Sequence, residues 1–134
     1  MILAKFPHRG IDDWGSGEFK ASRGSRTHKG IDYACCPDTA IRASFAGTVT
    51  KLGYPYADDL SYRYVQITDS RGYDHRYFYV SPSVEVGREI EAMDVIGNAQ
   101  DIAKRYTKPD KIMRNHIHYE ILYDGVPTDP EEFA

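Results

Sequence analysis

Four residues have the types and spacing that chemistry asks for: His116 and His118 in "RNHIHYEIL", and His28 and Asp32 in "SRTHKGIDYA". The first pair sits one residue apart among Ile117, Tyr119, Ile121 and Leu122, an apolar and aromatic run that reads as a β-strand. On a strand, positions two apart share a face, so both imidazoles address one partner. The plain alternative is a strand edge with two solvated histidines. Neutral imidazole can also ligate a metal or act as a general base. Taken alone, His28 and Asp32 read as a loop histidine followed by an acidic turn residue. Taken with the distant H-x-H, they gain a meaning. Two nitrogens and one carboxylate oxygen form a catalytic zinc set that leaves the fourth tetrahedral position for water. Gly30, between His28 and Asp32, lets the backbone bend. Such a site needs three of the four residues, and the fourth stands near the metal water as a base.

The elements that must position these residues are mostly strands. "EFKASR" is an early one, and "TAIRASFAGTVTKLG" reads as two short strands turning near Ala46 and Gly47. "YRYVQITDSRGYDHRYFYV" is a hairpin around Asp69–Gly72, "VEVGREIEAMDVIGNA" gives two short pieces, and "NHIHYEILYDGVP" is a final strand with a turn at Asp124-Gly125. Only "DIAKRYT" reads as helix. The expected class is therefore mainly β, with one or two short helices. With 134 residues the chain suits one domain, 1–134, that can bury a real core. A net charge of −3 with 28% charged residues predicts no nucleic-acid partner and no acidic tail. No apolar run of about 18 residues suggests a membrane span. "MILAKFPHRG" does not resemble a secretory signal, so the expectation is synthesis in the cytoplasm. Cys35 and Cys36 are adjacent, a poor geometry for a disulfide, and read as small packing residues at a strand end.

Three segments, "THKGIDYACCPDTAIRASFAGTVTKLG", "RYFYVSPSVEVGREIEAMDVIGNAQ" and "NHIHYEI", together resemble the lysostaphin-type (LytM-like) zinc endopeptidases that cut peptidoglycan peptides. The H-x-x-x-D, A-G-x-V, V-x-x-G-x-x-I and H-x-H-x-E patterns occur in the family's order. The resemblance implies a folded antiparallel β-sheet with a long groove. It implies one zinc held by His28, Asp32 and His118, with His116 as general base. The implied partner is a peptidoglycan stem peptide or cross-bridge, met by a monomer. With no recognisable signal or wall-binding pattern in this sequence, the expectation is a phage or prophage lytic enzyme acting on the wall.

Two departures stand out. Tyr79 occupies the place of a further family histidine, in "YFYVS". Its phenol, protonated at neutral pH, is a candidate oxyanion donor, and strand alternation would put it on the same face as Tyr77. "AQDIAKRYTKPDKIMRN" replaces a short Gly-rich stretch and would reshape one groove wall. It and "GSGEFKASRGSR" offer Arg23, Arg26 and Lys104 to acidic peptide groups. His75 and His8 read as a surface hairpin residue and a loop residue. Two other functions fit less well: a non-catalytic member that binds wall or activates another hydrolase, and a histidine phosphocarrier, which has no need of Asp32.

Overall fold

A computed structural model describes residues 2–12, 14–20, 22–23 and 26–133, and the side chains of these except at positions 2, 4, 22, 23, 26 and 27. After a 3-10 turn at Ile2–Lys5, the strands are β1 (Ile11–Asp12), β2 (Gly15–Ser16), β3 (Ser22–Arg23), β4 (Arg26–Thr27), β5 (Ile31–Ala34), β6 (Ala40–Arg42) and β7 (Gly47–Gly53). They continue as β8 (Tyr64–Thr68), β9 (Asp74–Phe78), β10 (Val80–Pro82), β11 (Glu89–Ile90) and β12 (Val95–Ala99). A single helical turn, α1 (Ala103–Tyr106), precedes β13 (His116–Tyr123) and β14 (Val126–Thr128), and a 3-10 turn covers Pro130–Glu132. The mainly β class with minimal helix is what the sequence predicts. None of the described helices is long and apolar enough to cross a membrane.

The large sheet runs β11-β7-β8-β9-β13-β14, with β5 on the free edge of the first half of β13. A second sheet, β10-β12-β6, packs against it. Their facing side chains form one core: Val49, Val65, Tyr77, Tyr119 and Ile121 from the large sheet meet Ile41, Val80 and Ile96 from the small one. The expected strand pair β6 and β7 does exist, but its members do not pair with each other. Strand β6 joins β12, and β7 joins β8 and β11, so the chain changes sheet at Ala43–Ala46. The early strand is also shorter than expected: Glu18–Lys20 is a bend and turn, β3 begins at Ser22, and Ala21 lies outside the described residues.

Strand β13 is the axis of the large sheet. Ile117, Tyr119 and Ile121 point into the core, while His116, His118, Glu120 and Leu122 line a groove on the other face. The period of two read from the sequence therefore holds through the strand. Gly30 serves a purpose other than bending. It has no left-handed φ, and a Cβ there would lie 2.2 Å from the Tyr119 carbonyl oxygen. The missing side chain lets the lead-in to β5 close on β13.

His75 is not at the surface. It faces the core with Tyr77, 1% exposed, packed against the rings of Phe45 and Phe133, which also meet each other. Burial is tolerated because both nitrogens are matched. Nε2–H donates to Asp69 at 2.9 Å, and the Tyr119 hydroxyl donates to Nδ1 at 2.7 Å. Burial lowers the His75 pKa, although Asp69 pulls it upward. The folded state thus disfavours its imidazolium, and the unfolded chain takes up a proton near pH 6.5 more readily. The His75 contribution is complete above that pH and is lost as pH falls through it toward the lowered value. His8, raised by Glu18 and Glu131 against its burial, has the opposite sign, so only a difference isolates His75. Gln at position 75 can keep both hydrogen bonds without titrating. The stability excess of wild type over His75→Gln, read from urea unfolding, should shrink between pH 7.5 and pH 5.5. A constant excess would exclude His75 as the titrating group.

Candidate metal centre

Asp32 is fixed by backbone on both sides. The Arg9 N–H donates to its carbonyl at 2.7 Å, and its own N–H donates to Gly17 at 2.8 Å. Pairing of β5 with β13 sets Asp32 directly opposite His118, on the same face. His28, just before β5, is held by the Glu18–Lys20 turn: its Nδ1–H donates to the Glu18 carbonyl at 2.9 Å, which leaves Nε2 for the groove. These constraints converge three ligand atoms. His28 Nε2 and His118 Nδ1 lie 2.9 Å apart, His118 Nδ1 and Asp32 Oδ1 2.8 Å, and His28 Nε2 and Asp32 Oδ1 3.2 Å. A tetrahedral zinc with bonds of 2.0–2.1 Å needs edges of about 3.3 Å, so the triangle fits with a small expansion.

The surroundings fit as well. His118 Nε2–H donates to Glu120 Oε1 at 2.9 Å, and Arg76 lies 3.8 Å from the other Glu120 oxygen. A ligand imidazole backed by a carboxylate is a common orienting arrangement at metal centres. Although burial works against its charge, Asp32 and Glu120 push the His118 pKa up to about 9. Burial likewise opposes the Asp32 charge, yet His118 and His28 hold its pKa well below the usual carboxylate range. The field of the two carboxylates favours a cation between them. Among the described residues, His28, Asp32 and His118 form the one His/Asp/Glu/Cys group able to hold a metal.

His116 stands beside the triangle rather than in it. Its Nδ1–H donates to the Arg114 carbonyl at 2.8 Å, which leaves Nε2 as the basic nitrogen, 3.5 Å from Asp32 Oδ2. Burial lowers its pKa, against the pull of Asp32. Arg9, only 3% exposed, approaches the same Asp32 oxygen at 3.5 Å and donates to the Gly15 carbonyl.

Tyr79 reaches the groove by a route that alternation does not predict. Its φ of +67° breaks the strand between β9 and β10. Tyr77 stays in the core, while Tyr79 turns to the groove side with Phe78. Its ring meets the His116 ring edge-on at 5.6 Å. Burial raises its pKa, so the phenol remains protonated. The groove encloses about 600 Å³ and is also lined by Trp14, Tyr56 and Tyr106, for which the sequence offers no local signal. Glu120, by contrast, is legible as the next alternate position after His118.

Not every expected residue gathers here. Lys104 lines a separate polar depression with Asp101 and Ser81. The side chains of Arg23 and Arg26, with Gly24 and Ser25, lie outside the described residues. His8 bridges Glu18 at 2.7 Å and Glu131 at 2.6 Å, away from the metal triangle. Cys35 packs on the core as expected, whereas Cys36 is exposed.

Residues 26–130 match the sequence pattern of Peptidase family M23. The chain belongs to peptidase family M23. Among curated relatives, leukocyte cell-derived chemotaxin-2 of Mus musculus is 25% identical over 90% of this chain and 76% of its own length. A DD-carboxypeptidase/endopeptidase of Neisseria meningitidis serogroup B is 32% identical over 81% of this chain but only 23% of its own length. The fold of this M23 chain is lysostaphin-like: the catalytic domain of lysostaphin from Staphylococcus simulans superposes with a TM-score of 0.69 at 18% identity, covering 97% of this chain and 92% of that one. M23 enzymes are zinc metallopeptidases, and peptidoglycan endopeptidases are among the relatives. Glu120→Gln would leave the three ligand atoms in place and weaken the carboxylate behind His118. Its zinc affinity, measured by competition with a chromophoric chelator, should fall about 10–100-fold. Unchanged affinity would remove Glu120 from the site.

Proposed function

We propose that this M23 chain is a zinc-dependent endopeptidase that hydrolyses peptide bonds in peptidoglycan stem peptides or cross-bridges. The observation that carries the reading is the buried His28–Asp32–His118 triangle with the free nitrogen of His116 beside it at the floor of a groove. In this reading the three residues hold zinc, which supplies Lewis-acid activation of water and of the scissile carbonyl when bound. An extended peptide lies along the groove. His116 Nε2 takes the proton of the attacking water, and the Arg114 carbonyl steadies the imidazolium through Nδ1–H. The same nitrogen then delivers the proton to the leaving amine. Tyr79 donates its hydroxyl hydrogen to the carbonyl oxygen as charge develops there. Arg9 engages the outer oxygen of Asp32, keeping the inner one directed at the triangle.

A second reading has a specific observation behind it. Tyr79 replaces the histidine usual at this place in lysostaphin-type enzymes, and the chemotaxin shares the family pattern under a name that describes no peptidase. On that reading the chain binds wall or modulates another hydrolase. Zinc-loaded protein incubated with walls carrying glycine bridges, and with walls carrying direct meso-diaminopimelate cross-links, separates the two. Release of a new amino end from either wall supports the endopeptidase, and its identity names the bond. Tight wall binding with no new amino end supports the alternative.

His116→Ala tests the base directly. The ligand triangle does not include this residue, so zinc content should stay at the wild-type level. Turnover should fall about 10²–10⁴-fold. Wild-type turnover in that variant would reduce His116 to a packing role.

A further inference from the structure

The groove wall beside His116 contains three phenols from three separate parts of the chain. Tyr79 lies between β9 and β10, Tyr56 comes from the loop after β7, and Tyr106 closes α1 within the segment that replaces the family's Gly-rich stretch. The Tyr56 oxygen lies 3.2 Å from that of Tyr79 and 2.6 Å from that of Tyr106. The Tyr56 and Tyr79 rings are parallel, with an interplanar angle of 6°. The Arg105 guanidinium covers the Tyr56 ring at 3.8 Å, is held by Asp58 at 3.1 Å and lies 5.7 Å from the centre of the Tyr106 ring.

A count of protons shows what this chain of hydroxyls can do. Three phenols carry three hydrogens, and two oxygen–oxygen contacts use two of them. One hydrogen is left to donate outward, from Tyr79, from Tyr106 or, where Tyr56 accepts from both, from Tyr56 itself. If the bonds run from Tyr79 through Tyr56 to Tyr106, Tyr79 presents only lone pairs to the groove. If they run from Tyr106 through Tyr56 to Tyr79, the Tyr79 hydrogen is free for a substrate oxygen. Arg105 biases the choice. Its positive charge lies against the Tyr56 and Tyr106 rings, and hydroxyl dipoles turn their hydrogens away from a cation, which favours the order from Tyr106 through Tyr56 to Tyr79. Each bond then polarises the next, which makes the last hydroxyl a better donor to a developing anion. The left-handed backbone at Tyr79 is a further steric cost for a residue with a Cβ, accepted where the ring must face the groove.

We propose that Tyr56 and Tyr106 are positioning residues that orient the Tyr79 hydroxyl as a donor to the scissile carbonyl oxygen. This rests on the endopeptidase reading of the same groove. No covalent bond is made by the three phenols, and the hydrogen stays on Tyr79 unless the oxyanion takes it and later returns it.

The test is a double-mutant cycle on zinc-loaded protein with Tyr56→Phe, Tyr79→Phe and the pair combined, plus Tyr106→Phe. Each change keeps the ring and removes one hydroxyl. The substrates are pentaglycine and a cross-linked muropeptide dimer with a direct meso-diaminopimelate link. Binding of a phosphinic analogue of each, which carries charge where the oxyanion forms, gives a readout without turnover. Tyr79→Phe should lower kcat about 10²-fold with KM little changed. Tyr56→Phe should lower kcat up to about tenfold, and Tyr106→Phe by less, again with KM little changed. Tyr56→Phe should have no further effect in the Tyr79→Phe background, in kcat or in phosphinate affinity. Independent, multiplying effects of the two changes, or a rise confined to KM, would overturn the relay and leave the endopeptidase reading standing. A wild-type protein that retains zinc yet neither cleaves either substrate nor binds either phosphinate would overturn both.

Discussion

The pairing of β5 with β13 in one register is the constraint on which the site depends. His118 lies opposite Asp32, and His116 opposite Ala34. A slip of one residue would turn His116 and His118 into the core and bring Ile117 and Tyr119 to the groove. The register is secured at both ends. At one end Gly30 allows contact with the Tyr119 carbonyl that any side chain would block. At the other, the Asn115 carbonyl accepts from the Cys35 N–H at 3.2 Å, and its side chain donates to the Cys35 carbonyl at 2.9 Å. Slippage would also bury His116, His118 and Glu120 without partners, so the cost rises with each residue of the site.

Once the register is fixed, charge is distributed across the floor of the groove in alternation. Arg9 faces Asp32, Asp32 and Glu120 flank His118, and Arg76 approaches Glu120. Each buried charge thus has an opposite neighbour, as burial demands. The two arginines sit at the outer ends and the carboxylates inside, which concentrates negative potential at the triangle. Position, and not merely the presence of acids, makes this a place for a cation. Because His28 and His118 each spend one ring nitrogen on a fixed acceptor, the other nitrogen of each is aimed without further adjustment.

The ligand set is legible in the sequence because it obeys local rules. H-x-H on a strand shows its face by a period of two, and Glu120 extends the same face. The hairpin from β8 to β9 is legible from its turn and its β-branched and aromatic residues. What escapes is everything decided by long-range contact. His75 looks like a surface residue until Asp69 and the Tyr119 hydroxyl match its nitrogens. Tyr79 departs from alternation because one left-handed residue interrupts the strand, and tyrosine gives no warning of that conformation. Lys104 shares a segment with Tyr106 but lines a different depression, since one helical turn separates directions that sequence proximity merges. Arg9, Tyr56 and Trp14 come from loops with no period at all.

Asn115 has one more effect, beyond the register. Its side chain also donates to the Gln100 carbonyl at 3.2 Å and accepts from the Ala103 N–H at 3.0 Å. A single amide therefore ties off both ends of the segment from Gln100 to Asn115 at its base. The far part of that segment is braced separately, by Lys111 over the Trp14 ring at 3.8 Å and by Trp14 against Tyr106 at 5.2 Å. Residues between the knot and the brace can be lengthened, shortened or exchanged without disturbing how β5 meets β13. Such a wall can change the outline of the groove at its outer part while the His28–Asp32–His118 triangle on the floor keeps its geometry.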